Sequence, residues 1–327
     1  MKISVAVITY NQQDTIAQTL DSILCQKGDF ELEVVIGEDC SKDSTWAICQ
    51  EYAERYPEQV VLLDNTHNLG ITSNFARVMK ACTGELVSVI AGDDYYYSDK
   101  ALDIQSKYLL AHPEYGVMCA NGYRYYVKRD KMVSGIPPLN PIADGNVKPI
   151  FFGEKYFGGV YMTPVGSMYR RELLQKIDFY EFVRRGFPAE DDPMQAILSQ
   201  YTRFAKLPDL LVVYRVYRES STFVMLDNPK YLEYHKGLMR VRKYLNELFP
   251  NDIVVDDDWM DDYIFYKEFL LYVHQRDYKK AKQLVQSYQY QSRNLRQAKR
   301  FTKSWLHFIA FHLYKEYTYH KELNKRT

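Results

Sequence analysis

At 327 residues and 46% hydrophobic, the chain is long enough to bury a sizeable core and reads as a globular protein. Lys and Arg number 42 and Asp and Glu 42, and this formal charge of zero argues against a general nucleic-acid binder. The five cysteines, Cys25, Cys40, Cys49, Cys82 and Cys119, form no C-x-x-C pair and no metal-ligand spacing with histidine, which implies a reducing, cytoplasmic setting.

The N-terminus MKISVAVITYNQQ has one Lys and a short apolar run broken by Thr9 and Asn11, with no small-residue cleavage site after it. It reads as a first strand, not a signal peptide. Further Val- and Ile-rich runs at Val34 to Gly37, Val60 to Leu63 and Leu86 to Ile90 predict strands buried on both faces, like Ile3 to Ile8. Between them the spacing is helical: Thr15, Ile16, Leu20, Ile23 and Leu24; then SKDSTWAICQEYAERYP, stopped by Pro57; then about Thr72 to Cys82, ended by Gly84. Strand and helix in alternation imply an α/β fold, a parallel sheet with helices on both faces.

Ser98 is placed to cap a helix running through Tyr108, ANGYRYYVKRDKMVSG predicts a strand pair, and GIPPLNPIADGNVKP predicts a loop. A mixed region runs to about Ser221, and from Pro229 the spacing is helical and aromatic. No stretch approaches the roughly 20 apolar residues that a spanning helix needs. From Arg276 to Thr327 there are 13 Lys and Arg against 3 Asp and Glu, so the tail is a separate electrostatic unit. It mixes these cations with Phe301, Trp305, Leu306, Phe308, Ile309 and Leu313. Two readings stay open: a helix lying on an anionic membrane, or one packed on the rest of the protein or on a partner subunit.

In open parallel sheets, ligands sit beyond the carboxyl ends of the strands. Those ends here are Thr9-Tyr10-Asn11, Glu38-Asp39, Asn65 to Asn68 and Gly92-Asp93-Asp94, polar in every case. Adjacent anions such as Asp93 and Asp94 repel and resist burial unless a cation or a set of donors meets them. A solvated acidic turn is the plain alternative, but four polar strand ends in a row favour a site. The chain has no G-x-G-x-x-G after the first strand and no G-x-x-x-x-G-K-[ST], so phosphate must be held another way. A divalent cation on Asp93 and Asp94 would do this, and Mn2+ or Mg2+ suits oxygen ligands.

ITYN, GEDCSKDST, HNLG, AGDDYYYSDK, AEDDPM and VYRVYRESS occur in the order and approximate spacing of a known family. Over about residues 1–222 the chain resembles inverting family 2 glycosyltransferases with the GT-A fold, including bacterial capsular and O-antigen enzymes. The resemblance implies a Rossmann-like, mostly parallel sheet flanked by helices. It implies a catalytic domain over 1–222, with a nucleotide-binding half at about 1–112 and an acceptor half at about 113–222; the spacing and charge beyond it predict a helical, basic C-terminal region over 223–327. The implied activity moves a sugar from a nucleotide-sugar donor, UDP-linked, to a glycan or lipid-linked glycan acceptor with inversion, in surface polysaccharide biosynthesis. The setting expected is cytoplasmic, and of the two readings of the basic tail the first would place the protein peripherally at the inner face of the cell membrane.

Carried over by position, Thr9, Tyr10 and Asn11 match the first-strand motif at the nucleotide, where an aromatic ring can stack on a base; packing is the alternative for Tyr10. In Glu38-Asp39, Asp39 matches the carboxylate at the base and ribose; capping of the next helix is the alternative. Asn68 and Gly70 match the edge of the nucleotide site, or are simply loop. Asp93 and Asp94 match the D-x-D-like metal motif, although Ala91 stands where the family often has an acid. Asp94 is assigned to the metal, and Asp93 to the ribose or the metal shell. The pattern E-D-x-P-L falls on Glu190-Asp191-Asp192-Pro193-Met194 and makes Asp191 the base, with Asp192 second; three acids at a helix start are the structural alternative. Tyr214-Arg215-Val216-Tyr217 matches Y-R-x-H with Tyr217 in place of histidine, a poor ligand for either metal. Arg215 or Arg218 could offset phosphate charge or form surface ion pairs.

Two other functions stand as alternatives. A nucleotidyltransferase of the same fold would carry a Gly-rich, basic loop where this chain has Gln12-Gln13-Asp14. A non-catalytic sugar- or nucleotide-binding subunit of a polysaccharide assembly complex would bind without turnover.

Overall fold

The computed structural model describes residues 1–64, 66–136, 145–152, 163–217, 229–252, 256–289 and 292–326. Outside them lie Asn65, most of the expected loop GIPPLNPIADGNVKP, Arg218, Ser221 and the expected boundary at 222. The described chain divides into two compact units, one of residues 1–125 and 130–215, the other of 126–129 and 216–327.

In the first unit the Val- and Ile-rich runs become β1 (Lys2–Thr9), β2 (Glu31–Glu38), β3 (Val60–Leu63) and β4 (Leu86–Ala91), parallel and in the order β3-β2-β1-β4. The helices between them are α1 (Ile16–Leu24), α2 (Thr45–Arg55) and α3 (Ile71–Ala81). Because side chains alternate along a strand, Ile3, Val5 and Val7 share one face with Leu32, Val34 and Ile36, under α1 and α2. The other face receives α3. A Cβ on Gly37 there would lie 2.3 Å from Val78 Cγ2 and 2.6 Å from Asn74 Oδ1, so glycine is what lets α3 approach the end of β2. That same face buries Glu33, which accepts hydrogen bonds from Lys2 Nζ at 2.7 Å, Thr83 N at 2.8 Å, Thr83 Oγ1 at 2.6 Å, and Ser4 Oγ. Burial alone would raise its carboxyl; these donors outweigh that and pull it down to about 2.

Beyond β4 the sheet changes direction. Its order continues with β8 (Ser167–Arg170), β6 (Tyr115–Tyr126), β9 (Arg203–Val216) and β5 (Tyr95–Tyr96), with β8 antiparallel to β4 and β6, and β5 antiparallel to β9. The expected strand pair is β6 with β7 (Lys131–Ser134). The helix expected after Ser98 is α4 (Ala101–Ala111), one turn longer than the spacing predicted; Ser98 Oγ accepts from Lys100 N at 3.2 Å, just ahead of it. The expected α/β architecture therefore holds, in mixed form.

The second unit is helical: α9 (Tyr231–Leu248), α10 (Asp257–His274), α11 (Tyr278–Ser287), α12 (Arg293–Phe301) and α13 (Trp305–Arg326), following the first unit's short α5 (Lys148–Phe152), α6 (Arg171–Leu174), α7 (Phe179–Arg184) and α8 (Asp191–Leu198). Asp256, Asp277 and Ser292 cap α10, α11 and α12 by accepting from Trp259, Lys280 and Leu295 amides at 2.8, 2.9 and 2.9 Å. Such caps supply partners to amides that a helix start leaves unpaired. Phe265, Phe269, Phe308 and Phe311 form the core of this unit. Among the described residues no helix is long and apolar enough to cross a membrane.

Candidate active site

The parallel register aligns the tips of three neighbouring strands. Thr9 pairs with Glu38 and Ile8 with Ala91. One step further on, Asp39 N donates to the Thr9 carbonyl at 3.0 Å, and Gly92 N to the Ile8 carbonyl at 2.9 Å. Thr9-Tyr10-Asn11, Glu38-Asp39 and Gly92-Asp93-Asp94 thus converge at one edge of the sheet.

The Asp39 carboxylate reaches across to the loop before α3, where Oδ1 accepts from Leu69 N at 2.7 Å and Oδ2 from Gly70 N at 2.9 Å. Asn68 Nδ2 returns a bond to the Asp39 carbonyl at 2.9 Å, so Asp39, Asn68 and Gly70 are one assembly. Gly70 sits at φ 82°, a region that disfavours side chains. These bonds of Asp39 run to the loop before α3, while at the start of α2 it is Asp43 Oδ1 that accepts from Thr45 N, at 3.0 Å. The neighbouring Glu38 is buried and differently committed, its carboxylate accepting from Cys40 N at 3.0 Å and Ser41 N at 2.7 Å. Asn11, at φ 52°, ties the first loop to the second: its N–H donates to Ser41 Oγ at 2.8 Å and its Oδ1 accepts from Lys42 N at 2.8 Å. Tyr10 is not core packing, since 40% of it is exposed beside this assembly.

The acidic turn is held from below by α1 and from the side by β9. The Gly92 carbonyl accepts from both Thr15 Oγ1 and Thr19 Oγ1 at 2.9 Å, and the Asp94 carbonyl accepts from Thr19 Oγ1 at 2.7 Å. Arg215 N donates to Asp94 Oδ1 at 2.7 Å, while its guanidinium donates to the Asp93 carbonyl and to Gln18 Oε1 and lies 4.9 Å from the centre of the Tyr95 ring. Arg215 is therefore no surface ion pair. It is buried against the turn.

Burial pushes the Asp93 carboxyl up, against the pull of Arg215 and a hydrogen bond from the Gln12 side chain. Asp94 is raised well above the usual carboxylate range, first by burial and then by the Asp93 charge. Among the described residues, the two carboxylates of this turn meet one guanidinium, which leaves them short of positive charge when both are ionised. Among the described residues no group of three or more His, Cys, Asp or Glu gathers to hold a metal. A Mg2+-like ion, however, commonly takes only one or two carboxylates and completes its shell with phosphate oxygens and water. The pair fits such an ion in donor type and charge.

The second acidic group starts α8. Glu190 precedes the helix, and Asp191 Oδ1 accepts from Asp192 N at 2.9 Å. Burial, and then the Asp191 charge, push Glu190 and Asp192 each up to about 8. Glu190 Oε2 is buried with no hydrogen-bond partner among the described residues, as befits a carboxyl that keeps its proton. The segment leading into this cluster is tied to α3: Thr72 Oγ1, in its first turn and two residues after Gly70 meets Asp39, donates to the Phe187 carbonyl at 3.2 Å.

Sequence reasoning missed Thr15, Gln18 and Thr19, which grip the turn or its arginine. Their signal was present: threonines four apart at the start of a helix share one face. The role of Arg215 as a backbone clamp had no local signal, because 121 residues separate it from Asp94.

Residues 4–178 match the family described as Glycosyl transferase family 2. That match ends before the Glu190 cluster and Arg215. An uncharacterized protein of Mycobacterium tuberculosis is 31% identical over 220 residues, 65% of this chain and 58% of that protein, so the chain aligns with little more than half of that relative. The poly(ribitol-phosphate) beta-N-acetylglucosaminyltransferase TarS of Staphylococcus aureus is 28% identical over 225 residues, 67% of this chain and 36% of that protein. The structure of S. aureus TarS residues 1–349 in complex with UDP-GlcNAc superposes with a TM-score of 0.55 at 17% identity, covering 88% of this chain and 79% of that one. At that identity the likeness is one of fold.

Proposed function

The chain belongs to glycosyl transferase family 2, and we propose that it moves a sugar from a UDP-linked donor onto a glycan or lipid-linked glycan acceptor of a surface polysaccharide, with inversion. The observation that carries this reading is the convergence of Thr9–Asn11, Asp39 and Asp93–Asp94 at three adjacent parallel strand tips. Support for UDP as the nucleotide comes from the neighbour of like fold that holds UDP-GlcNAc.

The Tyr10 ring, exposed at the tip of β1, stacks on the base, and Asp39 meets the base and ribose from its anchor on Leu69 and Gly70. Asp94, with Asp93, would hold Mn2+ or Mg2+, which when bound offsets the charge of the leaving diphosphate. Arg215 keeps the acidic turn in place through Asp94 Oδ1 and the Asp93 carbonyl. Asp191 accepts the proton of the acceptor hydroxyl as that oxygen bonds to the anomeric carbon; the bond from that carbon to the diphosphate oxygen breaks on the opposite face, so the configuration inverts. Burial raises the carboxyls of Glu190 and Asp192, on either side of Asp191, each to about 8.

Thermal-shift titration against a panel of nucleotide sugars, with and without Mn2+, tests the donor assignment: UDP-sugars stabilise the protein, more so with the ion, and Asp94→Asn loses that metal-dependent gain. Asp191→Asn retains donor binding and loses about 10²- to 10⁴-fold in transfer rate. Transfer by Asp191→Asn at the wild-type rate would remove Asp191 from its role.

A further inference from the structure

Helix α13 carries two unlike faces. Phe308 and Phe311 are buried in the core of the second unit, and His312 accompanies them, its Nδ1 2.9 Å from the Val273 carbonyl. Turned away from that core are Trp305, Leu306, Leu313, Tyr314 and Tyr317, exposed by 57, 72, 60, 61 and 66%. The spacing explains the split: 306, 310, 313, 314 and 317 fall on one side of an α-helix, with Trp305 at its margin, while Ile309 packs against the core. Only one acid, Glu316, occurs between residues 305 and 318, and its carboxylate is held 2.7 Å from His274 Nδ1. An exposed stripe of two leucines, a tryptophan and two tyrosines with no acid among them is unusual on a surface in contact with water alone.

The segment leading into this stripe is cationic. Arg293, Arg296, Lys299, Arg300 and Lys303 are all exposed on α12 and the short link after it, while Leu295 and Ala298 face inward. None of the five is in an ion pair among the described residues. Lys303 lies two positions before Trp305, so the cationic segment leads directly into the start of the apolar stripe.

We infer that α12 and the outer face of α13 dock the protein peripherally on an anionic lipid surface. Charge selects the occupant. Two copies meeting through this face would bring like-charged arginines and lysines together, which repel, whereas an anionic bilayer meets the cations with phosphate and the stripe with acyl chains. Aromatic side chains with one polar end, as in Trp305, Tyr314 and Tyr317, suit the boundary between headgroup and hydrocarbon. Insertion is shallow, since the opposite face of α13 stays in its own core. The inference does not rest on the donor chemistry proposed above, and its test needs no turnover.

The test is co-sedimentation of the full chain with vesicles of phosphatidylcholine alone or with about 30% phosphatidylglycerol. The protein is expected on the anionic vesicles only, released at about 0.5 M salt, with a blue shift of tryptophan emission that Trp305→Phe abolishes. Leu306→Glu with Leu313→Glu, and separately Lys299→Glu with Arg300→Glu and Lys303→Glu, should each weaken binding about tenfold or more. All five positions are exposed, so the variants should melt like the wild type. Absence from anionic vesicles, or binding that both variant sets leave intact, overturns the inference. So does an oligomer that Leu306→Glu dissociates, or an acidic protein captured by this face, when neither is accompanied by vesicle binding.

Discussion

Replacing Gly92 by alanine tests whether the acidic turn is a positioned device. The backbone of Gly92 is outside the left-handed region, so alanine meets no conformational penalty there and only space is at stake. An added Cβ would lie 2.6 Å from Thr9 Oγ1, 2.6 Å from Gln12 Oε1 and 2.8 Å from Thr9 Cβ. The Gln12 tip can swing away, but Thr9 Cβ is fixed to the end of β1. The turn must therefore move by about 0.6 to 0.8 Å to restore ordinary contact. That displacement stretches the two 2.9 Å bonds to the Gly92 carbonyl and carries Asp93 and Asp94 with it. Overpacking of this kind costs about 1–3 kcal/mol, a fall of roughly 2–10 °C in melting temperature for a domain of this size. A misplacement approaching 1 Å costs about 10²-fold in rate where geometry governs chemistry. The assay is kcat/KM for transfer from a UDP-sugar, with calorimetric UDP binding and a melting curve on the same preparation. If Gly92→Ala keeps kcat/KM within about twofold while its melting point falls as expected, the turn's position does not control the reaction and the reasoning fails.

Glu33 makes a separate prediction about stability. Its folded pKa of about 2 lies below the unfolded value near 4.5, so its contribution is complete above that unfolded value and disappears as pH falls toward 2. The contribution is at most about 3 kcal/mol; Glu33→Gln should lower unfolding free energy at pH 7, and the gap to wild type should close toward pH 2.5 in denaturant titrations. A gap independent of pH would contradict the assignment. Glu190 has the opposite sign: its folded pKa of about 8 exceeds the unfolded value, so the folded state holds a proton that the unfolded chain releases, and stability declines as pH rises from about 4.5 to 8. Glu190→Gln, neutral throughout, should flatten that part of the curve of melting temperature against pH. Parallel curves for the two proteins would mean that the carboxyl is ionised in the fold.

Much of the β1–β4 region was legible because its signals are local. Uninterrupted Val- and Ile-rich runs between amphipathic segments leave parallel strands covered on both faces as the ordinary solution, and β1 to β4 appear where those runs lie. The antiparallel part was harder. β8 has four residues, and β9 carries Pro208 and Asp209 within a 14-residue strand, so neither shows clean alternation. The fates of Glu38 and Asp39 show a finer limit. The two acids are neighbours, yet Glu38, the last residue of β2, turns inward to the Cys40 and Ser41 amides, while Asp39 just past the strand reaches Leu69 and Gly70. Which acid goes where depends on strand phase and on what the next loop presents, and only the first of these is written nearby.

From its sequence alone this protein could be assigned an α/β sheet, polar strand ends that mark one edge as a site, and a basic tail distinct from the rest. These follow from periodicity and composition, which act over a few residues and survive without knowledge of what packs against what. Tertiary structure alone decided that Arg215 clamps the acidic turn from 121 residues away, that burial raises Asp94, Glu190 and Asp192, and that α13 keeps one aromatic face for its core while leaving the other in water. Desolvation and long-range hydrogen bonds depend on the distance between groups in space, and chain order does not encode that distance until the sheet has closed around them.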